Sequence, residues 1–261
     1  MGTALVTGAG KRLGRAMALH LAGAGHDVAI HYATSAQGAE ELAHAIEGLG
    51  RRAVCLRADL LDEAALAPLV RDAGRAFGDR LDVLINNASI FEADSIATAT
   101  RESWDRHMMS NLRAPFVLTQ AFAAQCAPAA RDAAGEPEAT GLVVNMLDQK
   151  IFKLTPQDMT YSIAKMGLWA FTRMAAQELA PAIRVNAIAP GPTLQASDQD
   201  PADYRHSRAS TVLGRGANLD DITAALGYFL TAKAVTGQVL CIDGGQHLAW
   251  QTPDVMGAPG H

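Results

Sequence analysis

The chain has 261 residues, 49% of them hydrophobic, and sets 22 Lys and Arg against 27 Asp and Glu for a net charge of −5 with no basic block, which excludes nucleic acid and anionic membranes as expected partners. Cys55, Cys126 and Cys241 are far apart and match no metal or redox spacing, so no metal is expected and the set suits a reducing cytoplasm. With neither a basic leader ahead of an apolar stretch nor an apolar run of bilayer length, a soluble protein is expected.

No linker-like shift in composition divides the chain, which favours one α/β domain over residues 1–261. Ala4 to Thr7 reads as a short strand running into Gly8, Ala9, Gly10, Lys11, Arg12, Leu13 and Gly14, followed by a helical pattern to Ala24. Strand, glycine turn and helix form the context in which backbone amides and a helix N-terminus hold a pyrophosphate. Asp27 to His31 is a second strand. The stretch after it, Tyr32-Ala33-Thr34-Ser35, has no acid to hold ribose hydroxyls, so a 2′-phosphate is not repelled. Lys11 or Arg12, with the Thr34 and Ser35 hydroxyls, would bind that phosphate, which favours NADP over NAD.

The pattern repeats through helix Ala36 to Leu49, strand Ala53 to Leu56, the turn Ala58-Asp59-Leu60, helix Glu63 to Phe77 and strand Val83 to Ile85. Strands alternating with helices of this length predict a doubly wound parallel sheet, with its strand C-termini gathered on one ligand-binding edge. Asn86-Asn87-Ala88-Ser89 ends the fourth strand, where small and amide side chains can lie against a nucleotide, and Phe91 follows within reach. Helix Ser103 to Gln125 carries Asn111 among apolar neighbours, a buried amide that needs partners. Ala127 to Thr140 reads as an exposed connection without chemistry.

Strand Leu142 to Met146 leads to Asp148, and a helix around Tyr161 runs to Ala180, apolar nearly all round, so that one face would cover the sheet and another a second subunit. Arg184 to Ala189 is a strand ending in Pro190-Gly191-Pro192-Thr193. Polar, irregular Gln195 to Ser210 predicts a lid over substrate, with outer bounds near 193 and 216. Asn218 to Leu230 is a helix and Gln238 to Ile242 the last strand, closed by Asp243-Gly244-Gly245. The tail from Trp250 to residue 261 shows no periodicity.

Tyr161 and Lys165 are four apart on a helical pattern and share one face. A nearby ammonium favours phenolate, so Lys165 is expected to lower the pKa of Tyr161 and make it a usable acid or base. Asp148, at a strand end, is expected to face the same pocket.

Thr7-Gly8 with Gly14, Asn86-Asn87-Ala88, Asn111, Tyr161 with Lys165, Pro190-Gly191 and Asp243-Gly244-Gly245 follow one another as they do in the short-chain dehydrogenases/reductases, which the chain resembles over essentially its whole length. The resemblance implies a Rossmann-type domain with a seven-stranded parallel sheet, helices on both faces, and assembly as a homodimer or homotetramer. It implies hydride transfer from a nicotinamide, with Tyr161 as acid, Lys165 on the ribose and Asn111 in a proton relay. The implied cofactor contacts are Gly8, Lys11, Arg12 and Leu13 in the first loop, and His31, Tyr32, Thr34 and Ser35 after the second strand. Asp59 and Leu60, Asn87, Ala88 and Ser89, then Pro190, Gly191 and Thr193 complete them beside Tyr161 and Lys165.

Two departures from the family pattern narrow the choice. Arg12 replaces the middle glycine of the loop, and Asp148 replaces the usual serine thirteen residues before the tyrosine. Both resemble the pteridine reductase branch, which includes bacterial dihydromonapterin reductases, as do Lys11 to Gly14, His31 to Ser35 and Asn87 to Phe91. A serine donates to a carbonyl oxygen that turns negative as hydride arrives, whereas an ionised carboxylate repels it. Reducing a C=N bond reverses the requirement, because nitrogen gains a proton. The resemblance therefore implies NADPH and a dihydropterin held by Arg12, Ser89, Phe91, Asp148 and Tyr161, with Phe91 stacked on the ring. Dihydromonapterin, dihydrofolate and dihydrobiopterin are equally compatible. A carbonyl reductase of the same fold is the alternative, since a protonated aspartic acid can still donate. A non-catalytic NADP-binding sensor is disfavoured by the joint presence of Asn111, Tyr161 and Lys165.

Overall fold

In each strand of the chain, adjacent apolar residues point to opposite faces, so a run apolar on both phases is buried on both sides. The computed structural model, which describes residues 2–78, 80–195 and 199–251, shows the consequence. Val6, Ile30, Ile85, Val144 and Ile188 meet Met17 and Leu21, Leu42 and Ile46, and Leu226 and Phe229 on one face. Their neighbours Leu5, Ala29, Leu84 and Val143 meet Leu66, Val70, Leu118 and Phe122 on the other. Each such large side chain taken out of water is worth about 1.5–3 kcal/mol, which makes these two layers the main source of stability.

The elements in order are β1 (Gly2–Val6), α1 (Arg12–Gly23), β2 (His26–Tyr32), α2 (Ala36–Gly48), β3 (Ala53–Arg57), α3 (Glu63–Ala76), β4 (Val83–Asn86), α4 (Arg101–Met108), α5 (Ala114–Gln125), the short β5 (Ala130–Arg131) and β6 (Pro137–Glu138), β7 (Gly141–Met146), α6 (Met159–Leu179), β8 (Ile183–Pro190), α7 (Pro201–Ala209), α8 (Leu219–Thr231) and β9 (Val239–Ile242). The sheet is seven-stranded in the order β3-β2-β1-β4-β7-β8-β9, and every pairing within it is parallel. The expected doubly wound Rossmann-type architecture is therefore present. Strand order reverses between β1 and β4, and the crevice above that point receives the loops after both strands. Among the described residues no helix is long and apolar enough to cross a membrane.

Three expectations need correction. The helix read as Ser103 to Gln125 begins at Arg101, where Thr100 and Ser103 form a capping box, and is interrupted by a π-turn at Met109–Arg113. A widened turn of this kind re-aims one side chain, and Asn111 is the one fully buried there. The connection Ala127 to Thr140 is not wholly irregular, because β5 and β6 pair in it as an antiparallel hairpin. The lid region contains α7, begun by Asp200 accepting from the Ala202 amide with Pro201 at the first helical position. Residues 196–198 of that region and 252–261 of the tail lie outside the described residues.

Candidate active site

The first loop is shaped by what its backbone must do. Gly8 sits at φ +62, and a Cβ on Gly14 would lie 2.4 Å from the Gly8 carbonyl oxygen, so neither position accepts a side chain without strain or collision. The Thr7 hydroxyl accepts from the amides of Asn87 and Ala88 at 2.9 and 3.0 Å, and Asn87 Nδ2 donates to the Thr7 carbonyl at 2.8 Å. These bonds fasten the loop to the end of β4. His31 fastens it to β3: Nδ1 accepts from the Gly8 amide at 3.1 Å while Nε2 faces the Ala58 carbonyl at 3.2 Å. Burial lowers the pKa of His31, which suits a neutral ring whose two nitrogens both serve the main chain.

Three cavities run along the strand edge. Gly8, Lys11, Arg12, Leu13, Tyr32, Thr34, Ser35, Asn87, Ala88 and Ser89 line the first, about 340 Å³ in volume. Asp59 and Leu60 line the second with His31, Thr34, Arg57 and Arg106. The third, about 220 Å³, brings Arg12, Leu13, Asn87 and Ser89 together with Asp148, Tyr161, Lys165, Pro190, Gly191 and Thr193. The residues expected to meet a cofactor thus share one continuous edge. Lys11, at the start of α1, makes no capping bond, which leaves the first amides of that helix for an anion in the first cavity.

At the inner end, Tyr161 Oη donates to Asp148 Oδ2 at 3.0 Å, and Asp148 Oδ1 accepts from the Lys150 amide at 2.9 Å. Lys165 Nζ donates to the Met146 carbonyl at 2.7 Å and lies 5.6 Å from the Tyr161 ring centre. Burial, then the charge of Asp148 and the hydrogen bond to it, pushes the Tyr161 phenol well above its ordinary pKa. The expected lowering by Lys165 is therefore reversed. Desolvation and a carboxylate in contact outweigh an ammonium that is itself buried and has its own pKa lowered to about 8. Asp148 is raised by burial, against the hydrogen bonds from the Lys150 amide and Tyr161. The result is a phenol that holds its proton until something takes it, backed by a carboxylate.

Arg12 departs from expectation more sharply. Its backbone adopts φ +56, the left-handed region where the family pattern has glycine. Its guanidinium reaches across the crevice, where Nη1 donates to the Gln195 carbonyl at 2.8 Å and Nη2 to the Leu194 carbonyl at 3.0 Å. Its hydrogen bonds go to the chain after β8, while Lys11 and Arg12 both line the first cavity with Thr34 and Ser35. Arg57, exposed at the end of β3, is a further basic group near them that the motifs did not signal. Its position at a strand C-terminus was the available clue.

Asn111 lies outside all three cavities. Its Oδ1 accepts from the Ile90 amide at 2.9 Å and the Ser89 hydroxyl at 3.2 Å, while Nδ2 donates to the Ile90 carbonyl at 2.8 Å. The amide thus shapes the segment leading to Phe91. The Phe91 ring meets Tyr161 edge-on, 4.9 Å between centres at 84°, and is 57% exposed, which leaves a broad aromatic face open.

A buried network behind the site was not foreseen. Asp94 accepts from the Thr160 amide at 3.1 Å and from the Thr160 hydroxyl, which also faces His107 Nδ1 at 2.7 Å. His107 Nε2 accepts from the Glu92 amide at 3.1 Å, so Nδ1 carries the proton and donates to Thr160. Burial alone would raise the Asp94 pKa, but the bonds from Thr160 and the Met159 amide outweigh it and hold the carboxyl below its usual range. Asp94 thereby caps α6 from another segment and ties the chain after Phe91 to the residue before Tyr161.

Residues 8–247 match a family model described as Enoyl-(Acyl carrier protein) reductase. The chain belongs to the short-chain dehydrogenase/reductase family. A solved structure of FolM Alternative dihydrofolate reductase 1 from Brucella suis in complex with NADP is 39% identical, covers 97% of this chain and 98% of its own, and superposes with a TM-score of 0.89. A short chain dehydrogenase from Burkholderia cenocepacia J2315 in complex with NADP is 33% identical over 94% of this chain and 97% of its own, with a TM-score of 0.83. The granaticin polyketide synthase putative ketoacyl reductase 2 of Streptomyces violaceoruber is 34% identical over 94% of this chain and 96% of its own. This family member therefore resembles proteins named for two different substrate classes.

Proposed function

We propose that the protein is an NADPH-dependent pteridine reductase that converts a dihydropterin to its tetrahydro form. The observation that carries this reading is the 3.0 Å bond from Tyr161 Oη to Asp148 Oδ2 at the inner end of the crevice. A carboxylate where a carbonyl reductase places a hydroxyl donor favours a substrate atom that gains a proton over one that gains negative charge. The side-chain-free backbone at Gly8 and Gly14, the open amides at the start of α1 and the basic Lys11 and Arg57 fit a dinucleotide carrying a 2′-phosphate. NADP in the Brucella and Burkholderia structures supports that fit.

When bound, the reduced nicotinamide supplies a hydride to the substrate's ring carbon. The chain supplies the rest. Tyr161 gives its phenolic proton to the adjacent ring nitrogen, and Asp148 holds the hydroxyl in place and stands ready for an amino group on the pterin. Lys165 sits beside the phenol for the nicotinamide ribose, and Phe91 offers its open face to the flat ring. Ile163, Met166 and Met174, exposed on α6, suit the homo-oligomer expected of such an enzyme.

The second reading, a carbonyl reductase, is favoured by the Streptomyces relative and by the burial that raises the Asp148 pKa, since a protonated Asp148 can donate to an oxyanion. Loss of NADPH absorbance with 7,8-dihydromonapterin, 7,8-dihydrofolate and an acetoacetyl thioester separates the two. Turnover confined to the pterins is expected, and Asp148→Ser should reduce it by about 10²-fold or more while sparing any ketone activity. Turnover of the thioester alone would overturn the pteridine reading.

A further inference from the structure

Beyond the crevice, the last strand carries a second convergence of chemistry-bearing side chains. β9 is an edge strand, and the chain doubles back after it because Gly244 and Gly245 take positive φ, +65 and +80. The turn returns His247 over Asp243 and beside Cys241. Asp243 Oδ2 accepts from the His247 amide at 2.8 Å and faces His247 Nδ1 at 2.7 Å, while Cys241 Sγ lies 3.3 Å from the same nitrogen. The sulfur, nitrogen and carboxylate oxygen all lie within 4.8 Å of one another. The spacing Cys-x-Asp-x-x-x-His contains no second cysteine, so a search for paired cysteines passes over it.

We propose that Cys241, Asp243 and His247 form a binding site for a borderline-soft divalent cation of the zinc class, backing onto the proposed active site where Asp243 packs against Gly191. Thiolate, imidazole and carboxylate are the three ligand types that zinc takes, and three protein ligands leave one position for water or a small anion. That position has room: the three residues line a cavity of about 690 Å³. Arg215, the arginine in its wall, is paired with Asp221 at 3.2 Å. Asp243 is only 2% exposed and is held by the Gly245 amide at 2.8 Å as well, so one ligand is rigidly placed while the other two sit on partly exposed, adjustable side chains.

Tetrahedral bonds of ordinary length place zinc ligands roughly 3.3–3.6 Å apart, so the pair now at 2.7 Å opens slightly when the ion replaces the proton between them. The imidazole proton moves from Nδ1 to Nε2 and the thiol proton leaves to solvent, giving a thiolate–imidazole–carboxylate set. Burial and the Asp243 carboxylate push the Cys241 thiol up to about 12, so without a cation it stays protonated and is no free nucleophile.

The test uses the full chain without an affinity tag, titrated with Zn²⁺ against a chromophoric chelator and with Co²⁺ as a spectroscopic probe. One ion per chain is expected, and Co²⁺ should give a thiolate-to-metal charge-transfer band with tetrahedral ligand-field bands. Loss of even a supporting partner costs metal sites 10–100-fold, so Cys241→Ser and His247→Gln should each weaken binding by about 100-fold or more and remove or shift these bands. Cys55→Ser, on β3, should leave them unchanged. His247→Gln decides the matter if Cys241→Ser does not fold. No stoichiometric binding, no thiolate band in the parent chain, or bands that survive both ligand substitutions would overturn the site. None of these readouts depends on turnover, so they stand apart from the pteridine assay.

Discussion

The inner wall of the crevice and the segment expected to roof it are built on different principles. Tyr161 and Lys165, 6% and 3% exposed, sit on the face of α6 that packs inward with Ala164 and Leu168, and their polar atoms are met by Asp148 and the Met146 carbonyl. Behind them Asp94, Thr160 and His107 are all buried, with Thr160 bonded to both of the others. That proposed roof, described over 193–195 and 199–216, buries little of its own. α7 has no fully buried residue, and the segment is gathered instead by arginines bonding to carbonyl oxygens. Arg208 donates to the carbonyls of Pro192, Ala217 and Gly216 and to Asn218 Oδ1, while Arg12 holds Leu194 and Gln195 from across the crevice. A wall held by burial keeps its geometry. A segment held by a few charged clasps is the easier of the two to open.

The largest test of the contrast is in the wall. Tyr161→Phe removes the proposed proton donor while keeping the ring that Phe91 and Lys165 pack against, so kcat should fall by about 10²–10⁴-fold with NADPH affinity nearly unchanged. Measuring single-turnover rates beside cofactor titrations separates the two quantities. A rate within threefold of the parent would remove Tyr161 as the acid.

The roof should respond in stability and dynamics instead. Arg208→Met keeps the aliphatic stem but leaves several carbonyl oxygens without their donor, at a cost of about 1–3 kcal/mol. Hydrogen exchange is the discriminating readout: amides of 199–216 should exchange faster while those of β1, β4 and β7 keep their protection. Uniform loss of protection would show that roof and sheet unfold together and that the contrast drawn above is false.

The same contrast explains what could be read from sequence. Layers such as Leu5 and Val6, or Leu84 and Ile85, announce themselves because adjacent apolar residues can only serve a sheet covered on both faces. The crevice residues were legible because glycine, amide and Tyr-x-x-x-Lys motifs have local spacing. The Asp94–Thr160–His107 network joins residues 66 and 53 positions apart, each of an ordinary type in its own segment, so no local pattern could reveal it. The Tyr161 pKa was misjudged for a related reason. The helix period places Lys165 one turn away, but the desolvation and the Asp148 contact that dominate come from tertiary packing. At the end of the chain, Cys241 was read by its distance from other cysteines, while folding sets it beside a histidine.

Arg12 joins wall and roof, and two substitutions divide its backbone from its side chain. A non-glycine residue in the left-handed region costs about 1–2 kcal/mol, so the chain carries that strain at φ +56 to place a guanidinium over the crevice. Arg12→Gly removes both the strain and the clasp, and the two effects should nearly cancel, leaving stability within about 1 kcal/mol of the parent. Arg12→Ala keeps the strain and loses the clasp, so it should be less stable than the glycine variant by about 1 kcal/mol. In both variants the roof amides should exchange faster and the KM for pterin should rise. Diphosphate added to the parent chain should mimic the substitution by drawing the guanidinium from the Leu194 and Gln195 carbonyls, because a charged acceptor outcompetes a neutral one. Equal stability of the glycine and alanine variants would mean that the backbone at Arg12 is unstrained in solution. Exchange in the roof that ignores both substitutions and the added diphosphate would mean that Arg208 alone holds it.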